Sequence, residues 1–230
     1  MPNFEEFEKN AGLNFKNKTL LKTAFAHRSF MNENKGFVPE HNERLEFLGD
    51  AVLELVSSDF LFKRFPEKPE GELTALRAAL VNTQSIYEAA LKLNMNDYLL
   101  LSKGEARDTG RARVFILADA FEALIGAVYL DKGYSEAKEF IAENILYKID
   151  EIVEKRLWQD PKSRFQELVQ EKESATPKYK LLKETGPDHD KKFVSAVFVG
   201  EQKIAEGEGK SKQESEQAAA KAALQTGRYA

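Results

Sequence analysis

Three carboxylates, Glu43, Glu46 and Asp50, sit among apolar residues of helical spacing in the run from His41 to Leu53. Offsets of three, four and seven residues place all three on one helix face. Like charges crowded there repel one another unless water, cations or a metal ion relieves them. A second run, from Leu117 to Gly126, carries Asp119 and Glu122 three residues apart on one face, again with apolar neighbours. Two such helices packed side by side would gather about five carboxylates. Magnesium favours a site of this kind, with a few carboxylates and several retained waters. Held there, it polarises a phosphoryl oxygen and lowers the pKa of water toward neutrality.

The plainer reading is that these acids line solvated faces of amphipathic helices, and for any single Glu it is the better one. It weakens for the pair of motifs. Asp is a poor helix former, and Gly49 in mid-helix costs about 1 kcal/mol relative to Ala. Sequences carry such costs for close packing or for a site. Spacing alone does not select ligands, because Glu54 lies one turn beyond Asp50 in the same phase. His27 reads as structural, and His41 as a helper of the motif helix's N-terminus.

Composition narrows the chemistry. Cys is absent, which excludes disulfides, thiol nucleophiles and Cys-based zinc sites. The three His residues, 27, 41 and 189, lack metal-ligand spacing, so oxygen ligands and magnesium, manganese or calcium are expected. With 42% apolar and 31% charged residues the chain resembles an ordinary globular protein. No apolar run is long enough for a membrane span, and the acidic N-terminus lacks a signal-peptide pattern, so no membrane partner and a cytoplasmic location are expected. Net charge is −4, mildly against a nucleic-acid partner. The acidic excess lies in residues 1–159, with 21 cations against 26 anions, while residues 160–230 hold 13 against 12. Nucleic-acid binding in the second part would need local clusters rather than a global field.

The elements that must position these residues follow from periodicity. Residues 1–156 read as helix after helix, an all-α domain. One long segment runs from about 41 to 63 and stops before Pro66. The period continues from Leu73 to Leu91, Val114 to Leu130 forms another segment, and Ser135 is expected to cap a last helix reaching about Arg156. At Asp160-Pro161 the pattern changes: a capped helix to about Lys172, strands at 178–183, 192–199 and 202–208, and an Ala-rich helix from Ser211 to about Gln225. Gly200-Glu201 is a plausible hairpin turn. An α-β-β-β-α domain over 157–230 is long enough to fold independently.

The run from Asn42 to Asp50 resembles the signature of the ribonuclease III family. His27-Arg28-Ser29, the stretch Leu76–Val81, Leu117-Ala118-Asp119 and Glu122–Gly126 fall in the family's order. The C-terminal part resembles a double-stranded-RNA-binding domain. The resemblance implies a bacterial-type, magnesium-dependent endoribonuclease, with manganese as a substitute. It implies Glu46, Asp119 and Glu122 as metal ligands, and Asp50 with Glu122 at the catalytic centre. Glu43 and Glu70 match accessory acids. Phe47 matches an aromatic at the family's homodimer interface, with core packing as its plainer alternative. It further implies hydrolysis of duplex RNA to 5′-phosphate and 3′-hydroxyl ends with short 3′ overhangs, and processing of ribosomal RNA precursors.

Duplex RNA hides its base edges, so phosphates and 2′-hydroxyls are the expected contacts. Three regions offer them: Gln166, Glu167 and Gln170 on one helix face; Pro187 and His189 in a loop; and Lys210, Ser211 and Lys212 at a helix start, where amides and the dipole favour phosphate. Gln213 and Glu216 stand where many such domains carry Lys, implying modest affinity. The rivals are a non-catalytic duplex-RNA-binding protein on the same fold and a metal-dependent hydrolase of smaller phosphate esters.

Overall fold

The computed structural model describes residues 1–34, 36–107, 109–187 and 191–229. The chain divides into two compact units, Met1–Trp158 and Gln159–Ala230. The division lies two residues beyond the expected one, because the first unit holds its last residues. The Leu157 amide donates to the Ile152 carbonyl at 2.9 Å. Trp158 packs against the first unit's core, with the Lys68 ammonium 5.2 Å from its ring centre.

The first unit is helical. Its helices are α1 (Phe4–Asn10), α2 (Lys18–Ala24), α3 (Arg28–Glu33), α4 (Glu43–Arg64), α5 (Glu70–Leu80), α6 (Thr83–Lys92), α7 (Arg111–Lys132), α8 (Tyr134–Asn144) and α9 (Ile149–Glu154). The apolar 73–91 stretch falls in two helices, because the Asn82 side chain accepts the Ser85 amide at 3.0 Å and starts α6 afresh. Ser135 is not a cap. Gly133, at φ 93°, both ends α7 and precedes α8, so Ser135 lies inside the first turn. The expected last helix also breaks at Ile145, where the Asn144 amide turns back to the Phe140 carbonyl at 2.8 Å.

Helix α7 is the axis of this unit. Residues 116–128 are buried on nearly every side apart from Asp119 and Glu122, and α2, α4, α6 and α8 pack around it. Such all-round apolarity marks a central helix. Phe4, Phe7, Phe25 and Tyr98 close the core near α1, with Phe7 edge-on to Phe25 at 4.8 Å. Each buried Phe stabilises the fold by roughly 2 kcal/mol.

The second unit is α10 (Pro161–Glu173), β1 (Lys178–Thr185), β2 (Lys192–Val199), β3 (Gln202–Gly209) and α11 (Lys212–Leu224). The strands form an antiparallel sheet in the order β1-β2-β3. Val199 pairs with Gln202 across Gly200-Glu201, and Gly200 takes the positive φ that so short a loop requires. Phe165 and Val169 of α10, Val197 and Val199 of β2, and the alanines 219, 220 and 223 of α11 make the core. A β-carbon on Gly207 would overlap the backbone of α11, so glycine lets that helix lie on the sheet.

Candidate functional site

Asn42 stands where α4 begins, but its side chain does not cap the helix. Its amide instead donates to the Ala24 carbonyl at 3.3 Å, and its backbone N–H to the Ala26 carbonyl at 2.9 Å. These bonds tie the start of α4 to the segment leading into α3. Glu43 and Glu46 therefore open a fixed helix at its positive end.

The crossing of α4 and α7 is set by two glycines. A β-carbon on Gly49 would overlap the Glu122 carbonyl, and one on Gly126 would overlap the Leu45 carbonyl. The backbones meet because both side chains are missing. The ridge of Glu46 and Asp50 then lies beside the ridge of Asp119 and Glu122. Carboxylate oxygens of Glu46, Asp119 and Glu122 come within 4.8 Å of one another. Cation–oxygen distances of about 2.0–2.6 Å put ligands on opposite sides of an ion about 4–5 Å apart, so the three fit one hard divalent cation.

The electrostatics agree with this geometry. Burial, then the charges of Asp50, Asp119, Glu46 and Glu54, push the Glu122 carboxyl up to about 8. Burial raises Glu46, with Asp119, Glu43 and Asp50 adding to it, and burial followed by Glu43 raises Asp119. Crowded anions favour a shared proton or a bound cation.

Asp50 is exposed and adds to the field on Glu122 and Glu46 from outside the triplet. Glu43 is exposed, lies between Arg28 at 3.9 Å and His41 at 3.8 Å, and lines a cavity of about 400 Å³ with His27, Arg28, Asn42, Glu46 and Asp119. Glu70 is not brought into the cluster. It opens α5, accepts the Thr74 hydroxyl at 3.0 Å, and borders a cleft with Leu55, Phe62 and Arg77. Glu54, in phase but without an assigned role, binds the Arg77 guanidinium at 3.0 Å, while Arg77 also donates to Ser58 at 2.8 Å. Phe47 is 81% exposed, which rules out plain core packing. It borders an apolar cavity with Leu20, Leu48 and Leu130.

In the second unit Gln166, Glu167 and Gln170 all lie exposed on α10. Pro187 is exposed, and His189 falls outside the described residues. Lys210 and Lys212 are exposed beside Ser211, whose hydroxyl accepts the Glu214 amide at 3.1 Å as the cap of α11. Glu216 is paired with Lys162 at 2.8 Å. The sequence reading missed Gly126, which lacks any chemical signature, and Arg28. His27 is structural as expected, capping α3 through Nδ1, and it also lines this cavity. The Arg77–Glu54 pair had one available signal, the unexplained phase of Glu54.

The family described as Ribonuclease-III-like matches residues 17–149, more than half of the chain. The chain belongs to the ribonuclease III family. The double-stranded RNA binding motif matches residues 161–226. Ribonuclease 3 of Treponema denticola is 46% identical over 96% of this chain and 89% of its own length. Ribonuclease 3 of Geobacillus thermodenitrificans is 47% identical over 99% and 92%. The solved nuclease domain of ribonuclease III from Campylobacter jejuni, 43% identical, covers 66% of this chain and 96% of its own, with a TM-score of 0.56. No helix among the described residues is long and apolar enough to cross a membrane.

Proposed function

We propose that this chain, a member of the ribonuclease III family and by that family a double-stranded-RNA-specific endoribonuclease, hydrolyses phosphodiester bonds with magnesium held by Glu46, Asp119 and Glu122. The observation that carries the reading is the convergence of these three carboxylates at the α4–α7 crossing. A bound magnesium ion supplies polarisation of a phosphoryl oxygen and acidification of water. The chain's own residues do the rest. The three carboxylates would hold the ion, and exposed Asp50 would accept a hydrogen bond from the attacking water and orient it. The water oxygen bonds to phosphorus as the P–O3′ bond breaks, one water proton passes to solvent and O3′ takes up a proton, leaving 5′-phosphate and 3′-hydroxyl ends. Glu43 and Glu70 act outside the ligand set.

The C-terminal unit holds the duplex through Gln166, Glu167, Gln170, Pro187, His189, Lys210, Ser211 and Lys212. A second copy docks through exposed Phe47, supplying a second site for the other strand and short 3′ overhangs. A C. jejuni nuclease domain is described with a region involved in dimer formation. Ribosomal RNA precursors in the cytoplasm are the proposed substrates.

The test incubates the protein with a long RNA duplex and with the matching single strand, in magnesium or EDTA. Magnesium-dependent cleavage of the duplex alone supports the reading. A duplex bound tightly but left intact supports a binding protein instead.

A further inference from the structure

His27 has two ring nitrogens, and the fold uses one of them. The Ser29 backbone N–H donates to Nδ1 at 3.3 Å, so Nδ1 carries a lone pair and no proton. The Ser29 hydroxyl lies 2.8 Å from the same nitrogen and accepts the Ser102 amide at 3.1 Å, bracing the ring. The imidazole is therefore neutral, with its proton on Nε2. Burial, which lowers the His27 pKa, favours the same state.

Capping α3 thus consumes Nδ1 and leaves a donor. His27 lines the cavity shared by Glu43, Glu46, Asp119 and Arg28. The acids there are acceptors suited to a cation, and Glu43 already faces Arg28 at 3.9 Å, whereas the His27 Nε2–H is a donor that suits an anionic acceptor. A phosphodiester placed beside a cation on Glu46 and Asp119 supplies one. A neutral donor also suits this cavity better than an imidazolium, which would pair with the carboxylates and compete with the cation.

We propose that His27 contacts the substrate, its Nε2–H donating to a non-bridging phosphate oxygen of the RNA strand in this cavity. Ser29 is the positioning residue that holds the ring in this tautomer. The inference rests on the cavity being the RNA-cleaving site.

Two amide substitutions in the full-length protein separate this role from capping. His27→Asn keeps an acceptor near the Nδ1 position, preserving the cap, but loses the reach of Nε2. His27→Gln carries an N–H near the Nε2 position. Duplex cleavage at saturating magnesium is measured together with thermal melting. For H27N, KM is expected to rise about tenfold or more at nearly unchanged kcat, the loss of a hydrogen bond to a charged group made equally in ground and transition states. H27Q should stay within about threefold of wild type. Ser29→Ala should raise KM in the wild-type background and have no further effect in H27Q. The reverse pattern, Asn rescuing and Gln failing, overturns the inference and leaves His27 a cap. Equal KM for H27N and wild type also overturns it while leaving the nuclease reading intact. Wild-type protein that cuts no duplex overturns both.

Discussion

The carbonyl of Glu122 occupies the space that a side chain on Gly49 would need. This contact joins a packing requirement to a chemical one. The glycine that lets α4 touch α7 lies between Glu46 and Asp50, and the residue it touches carries the most perturbed carboxyl of the cluster. The mid-helix cost of Gly49, about 1 kcal/mol, is offset by this approach.

Gly49→Ala should therefore destabilise the first unit despite the better helix propensity of Ala. Backbone cannot yield as a flexible side chain does, and overpacking of this kind costs about 2–3 kcal/mol. The melting temperature should fall by roughly 5–10 °C, and duplex cleavage should drop with it. A variant that melts and cuts like wild type would show that the crossing tolerates separation.

Removing metal should make stability pH-dependent in a defined direction. Without a cation, burial and the neighbouring acids hold the folded-state pKa of Glu122 at about 8, against an ordinary glutamate value of 4.5. Between those values the folded chain holds a proton that the unfolded chain has released, so stability falls as pH rises through that window. Glu46 and Asp119 shift the same way. Melting curves in EDTA from about pH 5 to about pH 8.5 should decline, and excess magnesium should flatten them. Parallel curves with and without magnesium would contradict the assigned cluster.

Glu122→Gln should separate stability from activity. It removes one half-buried anion, so the metal-free protein should melt higher near pH 8. It also removes a proposed ligand, so kcat should fall by about 10³-fold or more. Duplex binding in EDTA should be retained, as a gel shift would report. Cleavage at the normal rate would place the metal elsewhere.

The Arg77–Glu54 pair should behave as one unit. Both side chains are partly exposed, so either Arg77→Ala or Glu54→Ala should cost only about 1 kcal/mol. The double variant should cost little more than Arg77→Ala alone, because both substitutions remove the same ion pair and only Arg77→Ala also loses the Ser58 bond. Additive losses in chemical denaturation would mean that the contact contributes nothing by itself.

Gln213→Lys should strengthen duplex binding and steepen its salt dependence by about one unit in log K against log salt. Gln213 is exposed in the first turn of α11 next to Lys212. Glu216→Lys is the contrasting case, since it strands Lys162 without its partner. An unchanged slope for Gln213→Lys would take this helix end out of the RNA contact.

The amino-acid order determined the local events by itself. Phase put Glu43, Glu46 and Asp50 on one face of α4, and Asp160-Pro161 and Ser211 started α10 and α11 through bonds between near neighbours. The strands were legible from alternation and from a two-residue turn at Gly200. Expectations failed where a local signal met a stronger one, as at Ser135, displaced by the positive φ of Gly133. Tertiary structure decided which acids meet. Glu43, Glu46, Asp50 and Glu54 are equivalent by spacing, yet they climb the helix by about 1.5 Å per residue. Only the height at which α7 crosses selects among them. That height is fixed by Gly49 against Glu122 and Gly126 against Leu45, contacts between residues more than seventy positions apart. Helical period is a property of neighbours in the chain, whereas the crossing point is a property of two surfaces. It therefore emerged only when α4 and α7 packed together.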